Sequence, residues 1–507
     1  MEIQIEFKRH LDECQSWFDV AALCYDTLTD AIDNENAFIG TYVETNSRSG
    51  RCNPNLENLH NFKDQVRSII SLGEQKGRDV DQSVAIIFKL IDAVVLVPYQ
   101  DEAQNGATIL LFLLMAIDQY YSVVDVSKWW SAPLNKKFIS KTCVYFSDRF
   151  SIMHEAIEAL DFGNELLTDN LQSQFSSFRF INTRKLPRGT QVPRIVTVLT
   201  NPSTPGRLGN KQLKIAIIPF AGFQLTNFDV AIGSCFKIRY PDDYADKHEA
   251  RIRLLLSTAI DQKANIIIFP EYVISPDLQS LIGYHLSQIF QTDPARLSAL
   301  RLVIAGSGWT ADNNNVMVLF DNSGAELGKY YKFSAFHNTI NGDTYREWLS
   351  EPGLKCTLID IPGIGRILPA ICRDVVNHEI TDNLTCMFRP FAIFISAWSR
   401  SIQRAFSERL RNLTSCYYAS SVICNCCEAL RDQKSTGNMF RVNNGFIGTP
   451  IKHKSSVICH EYPIDRDQVF CRQCRESGCL YLVEMDYSVE NVKNQSIVVD
   501  CQVIRAG

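Results

Sequence analysis

Three short apolar runs in the second half of this 507-residue chain each lead to one reactive side chain: Glu271, Lys332 and Cys372. Apolar runs of four to eight residues are typical of buried strands. A residue just past the end of such a strand faces the crevice where α/β sheets place their ligands. The sequence therefore predicts a sheet whose strand ends carry a carboxylate, an amine and a thiol. The runs are Ile266–Pro270, Gly328–Tyr331 and Ile367–Ile371.

The stretch around these runs alternates between strand-like and helical patterns. From Leu213 onward, short apolar runs are separated by amphipathic stretches such as His248–Lys263 and Pro276–Phe290. Two pairs of runs are joined by turn-forming residues, Asp321–Gly324 and Pro362–Gly365, and so predict hairpins. Helices alternating with strands, together with hairpins, indicate an α/β domain with a mixed sheet.

The first part of the chain has a different pattern. Residues 1–185 carry apolar residues at helical spacing and predict an all-helical domain whose role the sequence does not reveal. Residues 186–210 are rich in Pro, Gly and polar residues and predict a linker, within which residues 195–199 read as a short strand. The α/β domain then occupies residues 211–507.

Composition narrows the choice of partners and compartment. A net charge of −5 gives no electrostatic argument for binding nucleic acid or an anionic membrane. The apolar run Ala107–Ile117 is too short to span a bilayer and predicts a buried helix. Seventeen cysteines at irregular spacing, without a recognisable signal peptide, favour reduced thiols and a cytoplasmic location over a disulfide framework.

Each of the three reactive residues, taken alone, has an ordinary structural interpretation. Cys372 could be a buried structural thiol, Glu271 a solvated loop carboxylate, and Lys332 a strand lysine that reaches water. Together they supply a nucleophile, a proton shuttle and a cation for an oxyanion, the groups that acyl transfer at a C–N bond requires.

The order of the motifs Phe-Pro-Glu, Gly-Lys-Tyr-Tyr-Lys and Ile-Cys-Arg-Asp resembles the nitrilase, or carbon–nitrogen hydrolase, superfamily. The surrounding strand-like runs agree with that pattern, and the resemblance covers roughly residues 211–488. It implies a four-layer α-β-β-α sandwich that assembles as a homo-oligomer. It also implies a cysteine-dependent hydrolase or amide transferase that acts on a small-molecule amide, carbamoyl or nitrile substrate and needs no cofactor for catalysis.

The resemblance assigns roles residue by residue. Cys372 would be the nucleophile, Glu271 the general base and then acid, and Lys332 the cation that stabilises the oxyanion, with the backbone N–H of Arg373 as a second donor. A further glutamate is expected between the lysine and cysteine motifs. Glu347 matches best, although Glu351 competes with it.

Two departures from the family pattern affect the expected substrate more than the reaction. Arg373 stands where an aromatic residue commonly follows the nucleophile, and residues 224–244 form a long insertion. The Arg373 side chain could recognise an anionic substrate or pair with Asp374, and we favour pairing.

Two questions stay open at this stage. Four cysteines before the last strand, with one Cys-x-x-Cys, predict a structural zinc site, although free loop thiols would fit as well. An alternative interpretation is a non-catalytic scaffold or sensor domain joined to a helical interaction domain. Such a protein could belong to a bacterial defence system. The four cysteines are Cys459, Cys471, Cys474 and Cys479.

Overall fold

A computed structural model describes most of the second half of the chain and parts of the first. Contacts divide the chain into two compact units, residues 1–149 with 162–186 and residues 150–161 with 187–507. The described residues are 17–31, 54–75, 86, 89–90, 102–123, 142–146, 178–182, 193–198, 212–220, 228–231, 235–340, 343–350, 355–361, 363–377, 381–382, 384–385, 388–399, 402–427, 443–453, 456–465, 478–488, 491 and 497–506.

The first unit contains three described helices, α1 (Trp17–Ala31), α2 (Pro54–Gln75) and α3 (Glu102–Val123). Their buried residues follow helical spacing, as in Phe62, Val66 and Ile70 of α2. The middle of α3 is buried almost all round, as expected for a core helix. None of the helices in the described part of the chain is both long enough and apolar enough to cross a membrane.

The prediction that residues 1–185 are all helical is wrong. Two strands, β1 (Thr142–Phe146) and β2 (Phe178–Asn182), pair antiparallel over five residues each. Both segments are rich in β-branched and aromatic residues, which favour strands. The two helices predicted between these strands, residues 147–160 and 165–175, lie outside the described residues.

The second unit is a mixed α/β structure that contains two large sheets and one small sheet. Its elements in chain order are β3 (Arg194–Thr197), β4 (Gln212–Ile217), β5 (Phe228–Ala231), β6 (Cys235–Ile238), α4 (Tyr244–Asp261), β7 (Ile266–Ile268), α5 (Pro276–Thr292), β8 (Leu302–Trp309), β9 (Asn315–Phe320), β10 (Glu326–Tyr331), β11 (His337–Ile340), β12 (Asp343–Glu347), β13 (Thr357–Ile361), β14 (Gly365–Ile371), β15 (Ala392–Ala397), α6 (Ile402–Tyr417), β16 (Ser420–Asn425), β17 (Asn443–His453), β18 (Ser456–Asp465), β19 (Cys479–Asp486) and β20 (Val498–Arg505).

The two large sheets have seven strands each. The first has the order β10-β9-β8-β7-β4-β19-β20, and the second the order β18-β17-β16-β15-β14-β13-β3. In the first sheet, β4, β7 and β8 run parallel and their outer neighbours are antiparallel. In the second, β14, β15 and β16 are parallel. The α/β prediction with a mixed sheet is therefore confirmed for this unit.

Both faces of the first sheet are buried. Alternate residues of β4, β7, β8 and β19 pack with helices α4 and α5 in one apolar cluster. The other face meets the second sheet, because Ser396 Oγ of β15 donates to the Phe269 carbonyl at 2.7 Å and Cys424 Sγ of β16 approaches the Ile218 carbonyl at 3.3 Å. Helix α6 packs on β16, β17 and β18.

The predicted linker contributes to the second sheet. Strand β3, within residues 186–210, pairs in parallel with β13 from Thr357 to Asp360. The short strand predicted within residues 195–199 is therefore confirmed, and it is an edge strand of the second sheet.

The predicted insertion, residues 224–244, supplies strands β5 and β6. These two strands pair antiparallel, and β6 adds in parallel to β12, which makes a four-stranded sheet in the order β11-β12-β6-β5. Glu347, the last residue of β12, lies opposite Phe236 of β6. The insertion thus braces the strand that carries one of the predicted site residues.

Candidate active site

Glu271 lies just past the end of β7, where the first large sheet faces the second. Its side chain is fully buried. One carboxylate oxygen, Oε2, accepts a hydrogen bond from the Trp398 backbone N–H at 3.0 Å, and the other, Oε1, accepts from Lys332 Nζ at 2.7 Å. The sequence places Trp398 just after β15 of the second sheet, so this carboxylate bridges the two sheets.

Lys332 follows β10 and is also buried. Its position depends on the β9–β10 hairpin, whose turn contains Gly324 at φ +81°. A Cβ at Gly324 would lie 2.2 Å from the Gly283 carbonyl oxygen, so only glycine fits this turn. The Lys332 ammonium group lies 2.7 Å from Glu271 Oε1 and 2.7 Å from Glu347 Oε2.

Glu347 is the glutamate that the structure brings to the lysine. It is buried, and its Oε2 also accepts the backbone N–H of Phe336 at 2.9 Å. The competing candidate, Glu351, lies outside the described residues.

Cys372 directly follows β14 and begins a short 3₁₀ helix, Cys372–Val376. Its φ of +43° is in the left-handed region, which costs a non-glycine residue free energy and is concentrated at functional sites. The side chain is 5% exposed, and Sγ lies 3.9 Å from the Trp398 carbonyl oxygen. The sharp reversal at Cys372 therefore holds the thiol at the junction of the two sheets.

For Cys372, Glu271 and Lys332, burial shifts the pKa one way and the oppositely charged neighbours shift it the other way. Burial, helped by the Glu271 charge, raises the pKa of the Cys372 thiol well above its usual value, while Lys332 opposes the rise. Burial also raises the pKa of Glu271, and the Lys332 charge again opposes it. Burial alone would lower the pKa of Lys332, but the two carboxylates outweigh it and raise that pKa. At neutral pH the thiol is protonated and the lysine is charged.

Sequence reasoning missed two residues that contact this cluster. Asn315, at the start of β9, uses its side-chain amide to donate to Glu271 Oε1 at 3.1 Å and to Glu347 Oε1 at 3.3 Å. The hydroxyl group of Tyr272 accepts from Lys332 Nζ at 3.2 Å. Tyr272 directly follows Glu271 in the chain and Asn315 begins the hairpin that leads to Lys332, but their contacts depend on strands far apart in the chain.

Arg373 does not pair with Asp374, so the favoured interpretation of its side chain is wrong. The Arg373 side chain is exposed. Asp374 is buried and instead accepts hydrogen bonds from the backbone N–H groups of Ser334 at 2.7 Å and Phe333 at 3.3 Å. Asp374 thereby fastens the nucleophile segment to the chain that follows Lys332.

The cysteines predicted to bind zinc are only partly described. Cys459 lies in β18 of the second sheet, while Cys479 begins β19 of the first and packs against Cys427. Cys471 and Cys474 lie outside the described residues. Within the described part of the chain, no group of three or more His, Cys, Asp or Glu is placed to hold a metal ion. Every cysteine whose side chain is described is a free thiol.

Comparison with known proteins gives similarity in structure only. No protein-family model matches the sequence, and no curated protein matches it. Solved structures of nitrilase superfamily members match about half of the chain. Saccharomyces cerevisiae Nit3, a member of branch 10 of the nitrilase superfamily, is 12% identical, with 52% of this chain and 94% of that chain covered and a TM-score of 0.32.

Two further solved structures give similar values. A carbon–nitrogen hydrolase from Helicobacter pylori G27 is 14% identical, with 56% of this chain and 93% of that chain covered and a TM-score of 0.31. An amidase from Nesterenkonia sp. is 11% identical, with 52% and 96% covered and a TM-score of 0.31. These values are too low to carry a functional argument, so function is inferred below from the site's own geometry.

Proposed function

We propose that this protein is a cysteine-dependent hydrolase, or amide transferase, that acts on a non-peptide C–N bond of a small amide, carbamoyl or nitrile substrate. One observation supports this most strongly. A buried ammonium group, Lys332, lies between two buried carboxylates, Glu271 and Glu347. The backbone of Trp398 contacts both Glu271, through its N–H at 3.0 Å, and the Cys372 thiol, through its carbonyl oxygen at 3.9 Å. A non-catalytic scaffold has no need to bury this set of charges, because burial is costly.

The proposed reaction, for an amide, begins with a proton transfer. Glu271 takes the thiol proton while the sulfur of Cys372 forms a bond to the carbonyl carbon, whose π electrons move to oxygen. The oxyanion is stabilised by positive charge from Lys332 and by the Arg373 backbone N–H. When the C–N bond breaks, its electron pair stays on nitrogen, which takes the proton from Glu271, and a thioester remains on Cys372.

Water completes the cycle. Glu271, again a carboxylate, removes a proton from a water molecule whose oxygen attacks the thioester carbonyl. The thiolate leaves with the S–C electron pair and regains a proton from Glu271, and the carboxylic acid departs. In an amide transferase, an amine would take the place of water.

Labelling of cysteines with iodoacetamide at neutral pH tests the nucleophile. We expect Cys372 to react faster than every other cysteine when labelled peptides are quantified by mass spectrometry. Ammonia release from a panel of small amides and nitriles tests turnover, and Glu271→Gln should lower any turnover by about 10²–10⁴-fold because the proton carrier is lost. Labelling of Cys372 no faster than that of the other cysteines would contradict the proposal and favour a scaffold or sensor.

Three further features belong to this proposal. They are a helix–sheet–sheet–helix order of four layers, a homo-oligomeric assembly, and a structural zinc bound by Cys459, Cys471, Cys474 and Cys479. Metal analysis of the purified protein tests the zinc, and less than about half an equivalent would count against it, because structural sites bind zinc tightly.

A further inference from the structure

Three oxygen atoms of the protein surround the Lys332 ammonium group. A lysine ammonium has three donors and no acceptor. It donates hydrogen bonds to Glu271 Oε1 at 2.7 Å and to the Tyr272 hydroxyl at 3.2 Å, and it forms an ion pair with Glu347 Oε2 at 2.7 Å. A substrate oxyanion that accepts a hydrogen bond from Lys332 must therefore compete with these three groups.

The three acceptors differ in how costly they are to displace. Glu271 and Glu347 are fully buried ions, and losing the lysine would leave each as an uncompensated charge in a low-dielectric site. Tyr272 is neutral and its contact is the longest of the three. The phenol is thus the least costly of the three groups to move away from the lysine.

The phenol is held in place by contacts on its own backbone. Tyr272 is 1% exposed and has φ +69°, a strained conformation for a tyrosine. Tyr240, at the end of the insertion, donates to the Tyr272 carbonyl at 2.8 Å, and Tyr244 donates to the Val273 carbonyl at 2.9 Å. These two bonds fix the segment that follows Glu271.

Trp398 locates the phenol relative to the nucleophile. Its ring meets the Tyr272 ring edge-on at 6.0 Å between centroids. Its carbonyl oxygen lies 3.9 Å from Cys372 Sγ, and its N–H donates to Glu271. The thiol, the carboxylate and the phenol therefore surround one tryptophan.

We propose that Tyr272 is a further catalytic residue, whose hydroxyl accepts a hydrogen bond from Lys332 and donates its own proton in a hydrogen bond to the substrate oxyanion. This inference rests on the proposed function. The phenol keeps its proton throughout: the thiol proton still moves to Glu271, the S–C bond still forms, and the carbonyl electron pair still moves to oxygen. The hydroxyl only turns about its C–O bond toward that oxygen.

The surroundings of the phenol agree with a donor role. Burial, followed by the charges of Glu271 and Glu347, raises the pKa of Tyr272 well above its usual value, so the proton is retained at neutral pH. A hydroxyl that accepts from an ammonium ion becomes a stronger donor, because hydrogen bonds in a chain polarise one another.

The experiment compares two reactions of Cys372 in the full-length protein. Acylation by p-nitrophenyl acetate forms an oxyanion, and release of nitrophenol reports it. Alkylation by iodoacetamide forms none. In Tyr272→Phe, which keeps the ring and loses only the hydroxyl, we expect the acylation rate to fall by about 10²-fold. The alkylation rate should stay within about threefold of the parent, since it needs no oxyanion donor.

Other outcomes overturn the inference in recognisable ways. Unchanged or faster acylation in Tyr272→Phe would mean that the phenol only accepts a hydrogen bond from Lys332 and does not donate one to the oxyanion. An equal fall in both rates would mean that the phenol acts on the thiol or on folding. The matched control is Tyr487→Phe, which removes a buried hydroxyl that contacts Ser420 and Met485 and should change both rates by the same factor.

The proposed function fails by a different result. If the parent protein releases no more nitrophenol than Cys372→Ser, then Cys372 is not an acyl acceptor and both the function and the inference are wrong. If the parent is acylated at Cys372 but Tyr272→Phe behaves like the parent, only the inference is wrong.

Discussion

At the scale of single residues, the site holds a protonated thiol, Cys372, and a buried carboxylate, Glu271, which we propose accepts the thiol proton. Burial raises the pKa of Cys372 well above its usual value, so almost no thiolate exists at rest. Reactivity then depends on Glu271 accepting the thiol proton as the sulfur attacks. The Lys332 charge stabilises the thiolate that forms, and it also stabilises the Glu271 carboxylate that accepts the proton, so the two effects oppose each other in the transfer.

This dependence predicts the pH profile of Cys372 alkylation. The active form of Glu271 is the carboxylate, and burial raises its pKa above 4.5. The rate should therefore be lost as pH falls through that raised pKa and recover as pH rises through it. Iodoacetamide labelling followed across pH 4–10 measures this fall in rate on the acid side of the profile. Buried general acids in other enzymes have raised carboxyl pKa values of the same kind.

The control for the pH profile is Glu271→Gln. Glutamine cannot accept the proton, so the acid limb assigned to Glu271 should vanish and reactivity should follow the thiol's own titration at alkaline pH. An acid limb that is identical in both proteins would assign it to another group.

Sequence patterns located the reactive residues but not everything that they contact. Apolar runs placed Glu271, Lys332 and Cys372 at strand ends, and the structure brings all three into one buried cluster. The contacts of Asn315 and Tyr272 were not predictable, because each joins strands whose order in the sheet is not encoded by local periodicity. The Arg373 pairing failed for the same reason, since Asp374 finds backbone donors after Lys332.

At the scale of elements, a buried ion pair ties β13 to β14, the strand that carries the nucleophile. Arg366 donates two hydrogen bonds to Asp360, at 2.7 and 2.9 Å, and a third to the Phe388 carbonyl at 3.3 Å. Both side chains are almost fully buried. The pair therefore fixes the registration of the hairpin and the approach of the chain to Phe388.

Asp360→Leu should be strongly destabilising. It leaves the Arg366 charge buried without its partner, which typically costs about 3–5 kcal/mol of unfolding free energy. Urea unfolding followed by fluorescence measures the change.

The double variant Asp360→Leu with Arg366→Met is the control for that experiment. It removes both charges, so it should recover most of the loss. Equal destabilisation by the single and double variants would mean that packing, and not the unpaired charge, sets the cost.

The element scale also shows what composition could and could not predict. Proline, glycine and polar residues predict a linker from residue 186, and the apolar run within it predicts the short strand that the structure shows as β3. The pairing of that strand with β13 is a tertiary contact that composition does not encode. From the sequence, the insertion at residues 224–244 could be recognised only by its length. Its strands β5 and β6 are short, and their pairing with β12 is a tertiary contact.

At the scale of the whole molecule, the described site residues all belong to the second compact unit. Glu271, Lys332, Glu347 and Cys372 lie between residues 187 and 507, and so do both seven-stranded sheets. This unit has its own buried core. Its chemistry should therefore not require residues 1–149.

Two truncated proteins test this expectation. A protein of residues 187–507 should keep the preferential alkylation of Cys372. A protein of residues 200–507 lacks β3 and uncovers the edge of β13, and an exposed strand edge favours aggregation. Size-exclusion chromatography with iodoacetamide labelling compares them, and loss of Cys372 reactivity in the longer protein would assign a role to residues 1–186, which include residues 150–161 of the second unit.

Because Lys332 already contacts two carboxylates, the site should disfavour negatively charged reagents. One ammonium ion already faces two carboxylates, so an incoming anion finds no unmatched positive group among these residues. The dianionic thiol reagent 5,5′-dithiobis(2-nitrobenzoate) should therefore react poorly with Cys372, whereas uncharged 2,2′-dithiodipyridine should modify it. A routine thiol count with the anionic reagent would miss the one cysteine that matters most for reactivity, and the difference between the two counts would itself report an intact site.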